Sequence, residues 1–204
     1  MSQVTSFDWA SLLAEQPLLP LWQPTADTPL QDWAEHLAKA GYRAVEIPLR
    51  DPFAWKALAQ LKQAPVCLIA GSVTQLAQLD RLVDLGISLA VSPGWNLALA
   101  QAARERGIRL LPGVMTASEA MQAQMAGFNR VKFFPAAAMG RDYFQALRAP
   151  FPELGWVPTG GLNAQNLANW LALPGVAGVG GSWMMSSQEA ATQALQQVNQ
   201  WRGD

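Results

Sequence analysis

Lys132 lies in Arg130-Val131-Lys132-Phe133-Phe134-Pro135, an apolar run that reads as a buried strand and holds one of the chain's four lysines. Side chains alternate along a strand, so Lys132 and Phe134 face one way and Val131 and Phe133 the other. Burial among apolar neighbours favours a neutral amine over an ammonium. A neutral amine attacks carbonyl carbon and forms a Schiff base. The competing reading is structural: a lysine whose head snorkels out of the strand end or pairs with a carboxylate. A second chemical pair lies in Val45-Glu46-Ile47-Pro48-Leu49-Arg50. Glu46 and Arg50 have one parity, so a regular strand turns both to the same side. They are either an ion pair filling the interior or a proton carrier beside an anion anchor. A guanidinium grips a carboxylate in bidentate fashion.

Two glycine pairs add a third feature. Pro158-Thr159-Gly160-Gly161 and Gly180-Gly181-Ser182-Trp183 each follow a strand-like run. Paired glycines expose backbone N–H groups, and a helix starting just beyond adds its positive dipole end. Ordinary turns use glycine too, but two such loops in succession suit a phosphate group. In Ile69-Ala70-Gly71-Ser72-Val73, Gly71 permits close backbone approach and Ser72 offers a hydroxyl, or a simple helix cap. Ser92-Pro93-Gly94 and Pro112-Gly113-Val114-Met115-Thr116 read as turns that double as site walls. A keto acid with a distal phosphate matches the lysine, the acid–cation pair and the glycine loops together.

Composition narrows the alternatives. The net charge is −1 and no basic stretch suggests a nucleic-acid or membrane surface. No apolar run reaches the roughly 18 residues of a membrane span. Met1–Glu15 does not read as a secretory signal, and the single cysteine, Cys67, suits a reducing cytoplasm. Cys67 reads as a small core hydrophobe. The one histidine, His36, falls on a helix-like stretch and reads as a surface residue. With one His and one Cys, neither a zinc site nor a histidine-based triad is expected, and no metal or cofactor is called for.

Eight apolar runs position these groups: 17–21, 43–49, 66–70, 89–92, 109–112, 130–135, 156–158 and 177–180. Helical periodicity separates them, as in Leu76, Leu79, Leu82, Val83 and in Leu97, Leu99, Ala100, Ala103. Gly41, Gly86, Gly107, Gly127 and Gly175 stand where helices end, since glycine accepts the left-handed closing conformation. Thr116–Glu119 and Ser186–Glu189 match capping boxes. Eight alternating strands and helices predict a (β/α)8 TIM barrel over 1–204 as a single domain, with an extra N-terminal helix at 7–15 closing the bottom. A doubly wound open sheet is the structural alternative. Barrels place their chemistry at the strands' carboxyl ends, with phosphate on the last two loops, where the glycine pairs fall.

The sequence resembles the 2-keto-3-deoxy-6-phosphogluconate (KDPG) aldolase family across nearly its whole length. The motifs that carry the resemblance are Glu46-x-x-x-Arg50, Ser92-Pro93-Gly94, Pro112-Gly113-Val114-x-Thr116-x-x-Glu119, Lys132-Phe133-Phe134-Pro135-Ala136, Pro158-Thr159-Gly160-Gly161 and Gly180-Gly181-Ser182-Trp183. The resemblance implies a class I, metal-free aldolase of the Entner–Doudoroff type, usually a homotrimer. It implies that Lys132 forms the Schiff base and Glu46 is the general acid/base. It implies that Arg50 and Ser72 hold the pyruvate carboxylate and that Thr159, Gly160, Gly161, Gly181 and Ser182 receive the phosphate; Pro93 and Phe134 are further substrate-binding candidates. Departures are Ser72 where the family usually has threonine, Ile69 where it often has glycine, and Met139-Gly140-Arg141 in place of a glycine pair. Val45-Glu46-Ile47-Pro48-Leu49 resembles the 6-phosphogalactonate branch, whereas Arg50 and Gly180-Gly181-Ser182-Trp183 resemble the gluconate branch. 4-Hydroxy-2-oxoglutarate is a further substrate of such enzymes. Two readings outside aldol chemistry stand beside this: a phosphate-binding isomerase or synthase using Lys132 only electrostatically, and a non-catalytic metabolite-binding barrel.

Overall fold

The computed structural model describes residues 8–203. Parallel strands with both faces covered read as continuous apolar runs, and the fully buried run Ala44–Pro48 is typical. The strands are β1 (Leu18–Pro20), β2 (Ala44–Pro48), β3 (Cys67–Gly71), β4 (Leu89–Val91), β5 (Arg109–Leu111), β6 (Gly113–Val114), β7 (Arg130–Phe133), β8 (Gly155–Pro158) and β9 (Val179–Gly181). Pro112 has no N–H to offer a ladder, so it splits one stave into β5 and β6. The run expected to stop at Pro112 therefore continues two residues further. Nine segments make eight staves among the described residues.

The ring closes. Parallel ladders join β2, β3, β4 and β5 in order, β6, β7 and β8 in order, and β1 to β9. The Leu21–Glu46 bridge links β1 to β2, and the Thr159–Gly180 bridge links β8 to β9. The (β/α)8 barrel is the observed architecture.

Two hydrophobic clusters mark the two faces of the staves. Val45, Ile47, Leu68, Ala70, Val131 and Phe133 pack outward against the helices. Leu19, Ala44, Ile69, Leu89, Leu111 and Val157 fill the interior together with Trp9, Leu12 and Leu13 of α1 (Trp9–Glu15). The bottom-closing helix thus exists, capped by Asp8, whose side chain accepts from the Ser11 N–H; Phe7 lies outside the described residues. Burying a leucine such as Leu12 contributes about 1.5–3 kcal/mol. The β1–β2 seam is held from beneath by the buried Gln16, whose side chain donates to the Leu18 and Ala44 carbonyls and accepts from the Arg43 and Ala44 N–H groups.

Gly41 and Gly86 close α2 (Leu30–Ala40) and α4 (Leu76–Leu85) in the left-handed conformation, and Gly107, Gly127 and Gly175 also have positive φ. Leu79 and Leu82 are the buried positions of α4, while Leu76 and Val83 stay largely exposed. The Thr116–Glu119 capping box is present. The second box is displaced: Ser187, not Ser186, caps α9 (Gln188–Arg202), because Ser186 closes a short 3₁₀ turn and donates to the Trp183 carbonyl. His36 is half-buried rather than on the surface, and its Nε2 lies 2.9 Å from the Gln188 carbonyl oxygen and 3.2 Å from Thr192 Oγ1, tying α2 to α9. Cys67 is half-buried, and that burial raises its thiol pKa.

Candidate active site

Period-two alternation puts Ala44, Glu46 and Pro48 on the inner face of β2, and β7 turns Lys132 to the same interior. The two charged groups meet there. Lys132 Nζ lies 3.8 Å from Glu46 Oε1, with side chains only 5% and 2% exposed. Glu46 Oε1 is buried and has no hydrogen-bond partner. An unpaired buried acceptor is costly unless something completes it. This oxygen is therefore poised to accept a proton or a hydrogen bond from a bound molecule. Lys132 Nζ also stands 5.4 Å from the centre of the Phe134 ring, a favourable placement for an ammonium. Phe134 lies just beyond the end of β7 yet keeps the inward direction expected of it.

Above this pair, a cavity of about 370 Å³ opens at the strands' carboxyl ends, lined by Pro48, Arg50, Phe134, Thr159, Gly160, Gly161, Gly181 and Ser182 among others. Arg50 has left the strand, but its Nε–H donates to Ser72 Oγ at 3.1 Å. Ser72 has φ 57°, in the left-handed region that non-glycine residues rarely enter. Such backbone costs on the order of 1–3 kcal/mol and clusters at binding sites. Here it swings the hydroxyl to the guanidinium. Both groups remain partly open to solvent, where an arriving anion could meet them.

The loop after β8 is fixed to α7 (Ala136–Arg148): the Ala136 N–H donates to Thr159 O at 2.8 Å and the Ala137 N–H to Gly160 O at 2.9 Å. Gly160 and Gly161 both have positive φ, and a side chain on Gly161 would meet Ala137 Cβ at 2.6 Å. Glycine is required there by backbone and by space. The expected dipole assistance is not in place. After Gly161 the next helix, α8, begins only at Leu167 and spans 5 residues, and after Gly181 the chain enters a 3-residue 3₁₀ turn. Any anion held here relies on local N–H groups, the Ser182 hydroxyl and Arg50.

Lys132, Glu46 and Ser72 lie below or beside the cavity rather than in its lining, and Pro93 does not line it either. The Pro93 carbonyl abuts Gly113, where a side chain could not fit, and Gly113 is the register partner of Lys132. Arg141 is exposed and lies outside the lining, and Met139 packs against the outer core. Sequence reading missed Leu21, Gln23, Leu162 and Trp183 as lining residues, because their role depends on how the first and last staves close. A larger cavity of about 490 Å³ opens at the opposite end beside Trp9 and Arg130. It contains none of the candidate site residues read from the sequence and adjoins Asp8, the first described residue.

A buried amine, a facing carboxylate and an anion anchor at a barrel mouth are the parts of imine chemistry on a keto acid. The family model for "KDPG and KHG aldolase" matches residues 10–201. The chain belongs to this aldolase family. It is therefore a lyase. It is 33% identical over 198 residues to the 2-dehydro-3-deoxy-phosphogluconate aldolase of Treponema pallidum, covering 96% of this chain and 93% of that one. The fold is similar to the KDPG aldolase of Zymomonas mobilis, with TM-score 0.87, 28% identity and coverage of 94% and 96%. It is also similar to the KDPG aldolase of Legionella pneumophila, with TM-score 0.77, 33% identity and coverage of 94% and 95%, a structure in which pyruvate was captured as a covalent carbinolamine.

Proposed function

We propose that this chain is a class I aldolase that cleaves 2-keto-3-deoxy-6-phosphogluconate to pyruvate and glyceraldehyde 3-phosphate through an imine on Lys132. The observation that carries the reading is the buried Lys132–Glu46 pair, 3.8 Å apart beneath the cavity. Lys132 Nζ attacks C2 of the keto acid, and loss of water from the carbinolamine gives the iminium. Glu46, through a water, takes the C4 hydroxyl proton. The C3–C4 bond breaks, its electrons pass into the iminium, and glyceraldehyde 3-phosphate leaves. The enamine is protonated at C3 and hydrolysed, returning Lys132 and pyruvate. Arg50 and Ser72 hold the keto acid's carboxylate. Thr159, Gly160, Gly161, Gly181 and Ser182 receive the phosphate, with Phe134 as a wall.

The alternative substrate is the C4 epimer, 2-keto-3-deoxy-6-phosphogalactonate, which Pro48 favours: it lines the cavity and belongs to the segment resembling the galactonate branch. 4-Hydroxy-2-oxoglutarate is the third candidate. A single-domain homotrimer acting in the cytoplasm on the Entner–Doudoroff route completes the proposal, and light scattering of the purified chain tests the trimer. The deciding experiment is borohydride reduction in the presence of pyruvate, read by intact mass and peptide mapping. An adduct on Lys132 is expected. No adduct at any pH where the chain is folded removes the imine mechanism in favour of a non-covalent phosphate-binding barrel. Comparing kcat/KM for the two phosphorylated epimers and the hydroxyoxoglutarate then ranks the substrates.

A further inference from the structure

Glycine inside a strand is unfavourable by roughly 0.5–1 kcal/mol relative to alanine, so it calls for a reason. Gly71 ends β3 and is buried on the interior face, two residues after Ile69. Its φ is not positive, so its backbone does not require glycine. Space does. A side chain on Gly71 would collide with Glu46 Oε1 and would meet Glu46 Cγ at 2.7 Å and Cδ at 2.8 Å. All three nearest atoms belong to one side chain, that of the proposed proton carrier. The carboxylate lies on the bare Cα of Gly71 with Oε1 free of any hydrogen bond and 3.8 Å from Lys132 Nζ.

We infer that Gly71 is a positioning residue whose missing side chain seats the Glu46 carboxylate against Lys132. This rests on the aldolase reading above. An added methyl must displace this buried carboxylate from its place 3.8 Å from Lys132 Nζ. The proton-transfer step is the one that suffers, since a general base must stand within hydrogen-bond reach of the proton it takes. The imine and the carboxylate anchor involve other groups.

The test is Gly71→Ala in the full chain, after pyruvate trapping on Lys132 has been established in the parent; failure of that trapping would refute the aldolase reading itself rather than this inference. Gly71→Ala is expected to trap pyruvate on Lys132 with unchanged affinity while kcat falls about a hundredfold, at the lower end of what acid–base catalysis contributes. In a Glu46→Gln background, where no proton carrier remains to be misplaced, the same change should cost less than about twofold in kcat, because residues acting as a unit are non-additive. A kcat within about threefold of the parent, or an equal loss in both backgrounds, overturns the inference. If Gly71→Ala does not fold, Gly71→Ala/Glu46→Ala decides against Glu46→Ala alone: an unfolding temperature equal to that of Glu46→Ala supports a clash with Glu46, and failure to fold where Glu46→Ala folds overturns it.

Discussion

Removing either member of the buried pair should destabilise the chain more than removing both. Lys132 Nζ and Glu46 Oε1 are 3.8 Å apart, which at an effective dielectric of 20 corresponds to an attraction of about 4 kcal/mol. Breaking a buried pair by removing one partner typically costs about 3–5 kcal/mol, because a charge is left alone, whereas replacing both is close to neutral. Lys132→Met should therefore lose about 3 kcal/mol, or roughly 6–12 °C in Tm for a chain of this size. Glu46→Gln should lose a similar amount by stranding the ammonium. The double variant should recover most of the loss and unfold within about 4 °C of the parent. Thermal unfolding by circular dichroism at neutral pH measures all four corners of the cycle. All variants lacking Lys132 should fail to trap pyruvate, which separates loss of chemistry from loss of fold. A double variant destabilised by the sum of its singles would refute the coupling, and with it the view that the two charges share one buried site.

Arg50→Ala should raise KM for the keto acid about ten- to a hundredfold, the loss of a charged hydrogen-bond partner at about 1.5–3 kcal/mol, with kcat much less affected; steady-state kinetics checks it. Gly161→Ala combines φ +74° with a 2.6 Å approach to Ala137 Cβ, so it should distort the loop after β8. The expected result is a KM for phosphorylated substrate raised at least tenfold while pyruvate trapping on Lys132 is unchanged, measured by kinetics and mass spectrometry. Tyr42 is buried and its hydroxyl donates to the Ala191 carbonyl at 2.8 Å; burial pushes its pKa well above the usual 10.0. The neutral phenol is thus favoured only in the folded state, so its contribution is fully present below pH 10.0 and is lost as pH rises beyond it. Denaturant unfolding between pH 9 and 11, compared with Tyr42→Phe, should show a decline in the parent that the variant lacks in part.

The parts legible in the sequence were those governed by local rules. Period-two alternation paired Lys132 with Phe134 on one side of their strand and Glu46 with Pro48 on one side of theirs, without showing which side is the interior, and Gly41 and Gly86 marked helix ends because left-handed closure is a one-residue property. What was not legible depends on long-range closure. Nothing local to Gln16 announces that its side chain stitches β1 to β2, since its partners at Arg43 and Ala44 are 27 and 28 residues away. Leu21 and Gln23 line the cavity only because the first stave pairs with the last. The helix-dipole contribution after Gly161 failed for a related reason: the glycine pair is recognisable, but a hydrogen-bonded turn over Asn163–Asn166 comes before the next helix. Ser72 was read as a helix cap or an anchor, and its left-handed backbone, which decides for contact with Arg50, has no sequence signature at a serine.

In the proposed aldolase the site divides binding from chemistry by depth. At the rim, the cavity lining holds a guanidinium at Arg50 and no carboxylate. An anion approaching from solvent therefore meets a cation and the open backbone of the glycine loops. At the floor, Lys132 and Glu46 offset one another's charge and are nearly inaccessible, so they contribute little net attraction to an incoming ligand. In the proposed reaction the pair acts only when the ketone reaches the floor, and then the unpartnered Glu46 Oε1 gains the partner it lacks. Interactions formed only at that stage raise kcat, whereas those formed on entry set KM. This arrangement requires the floor to be rigid and exclusive. Leu12 and Leu13 fill the barrel below it, and at Gly71 and Gly113 a side chain would displace the carboxylate or the Pro93–Gly94 turn. Rim substitutions should consequently move KM and floor substitutions kcat, even though every residue concerned belongs to one cavity and its floor.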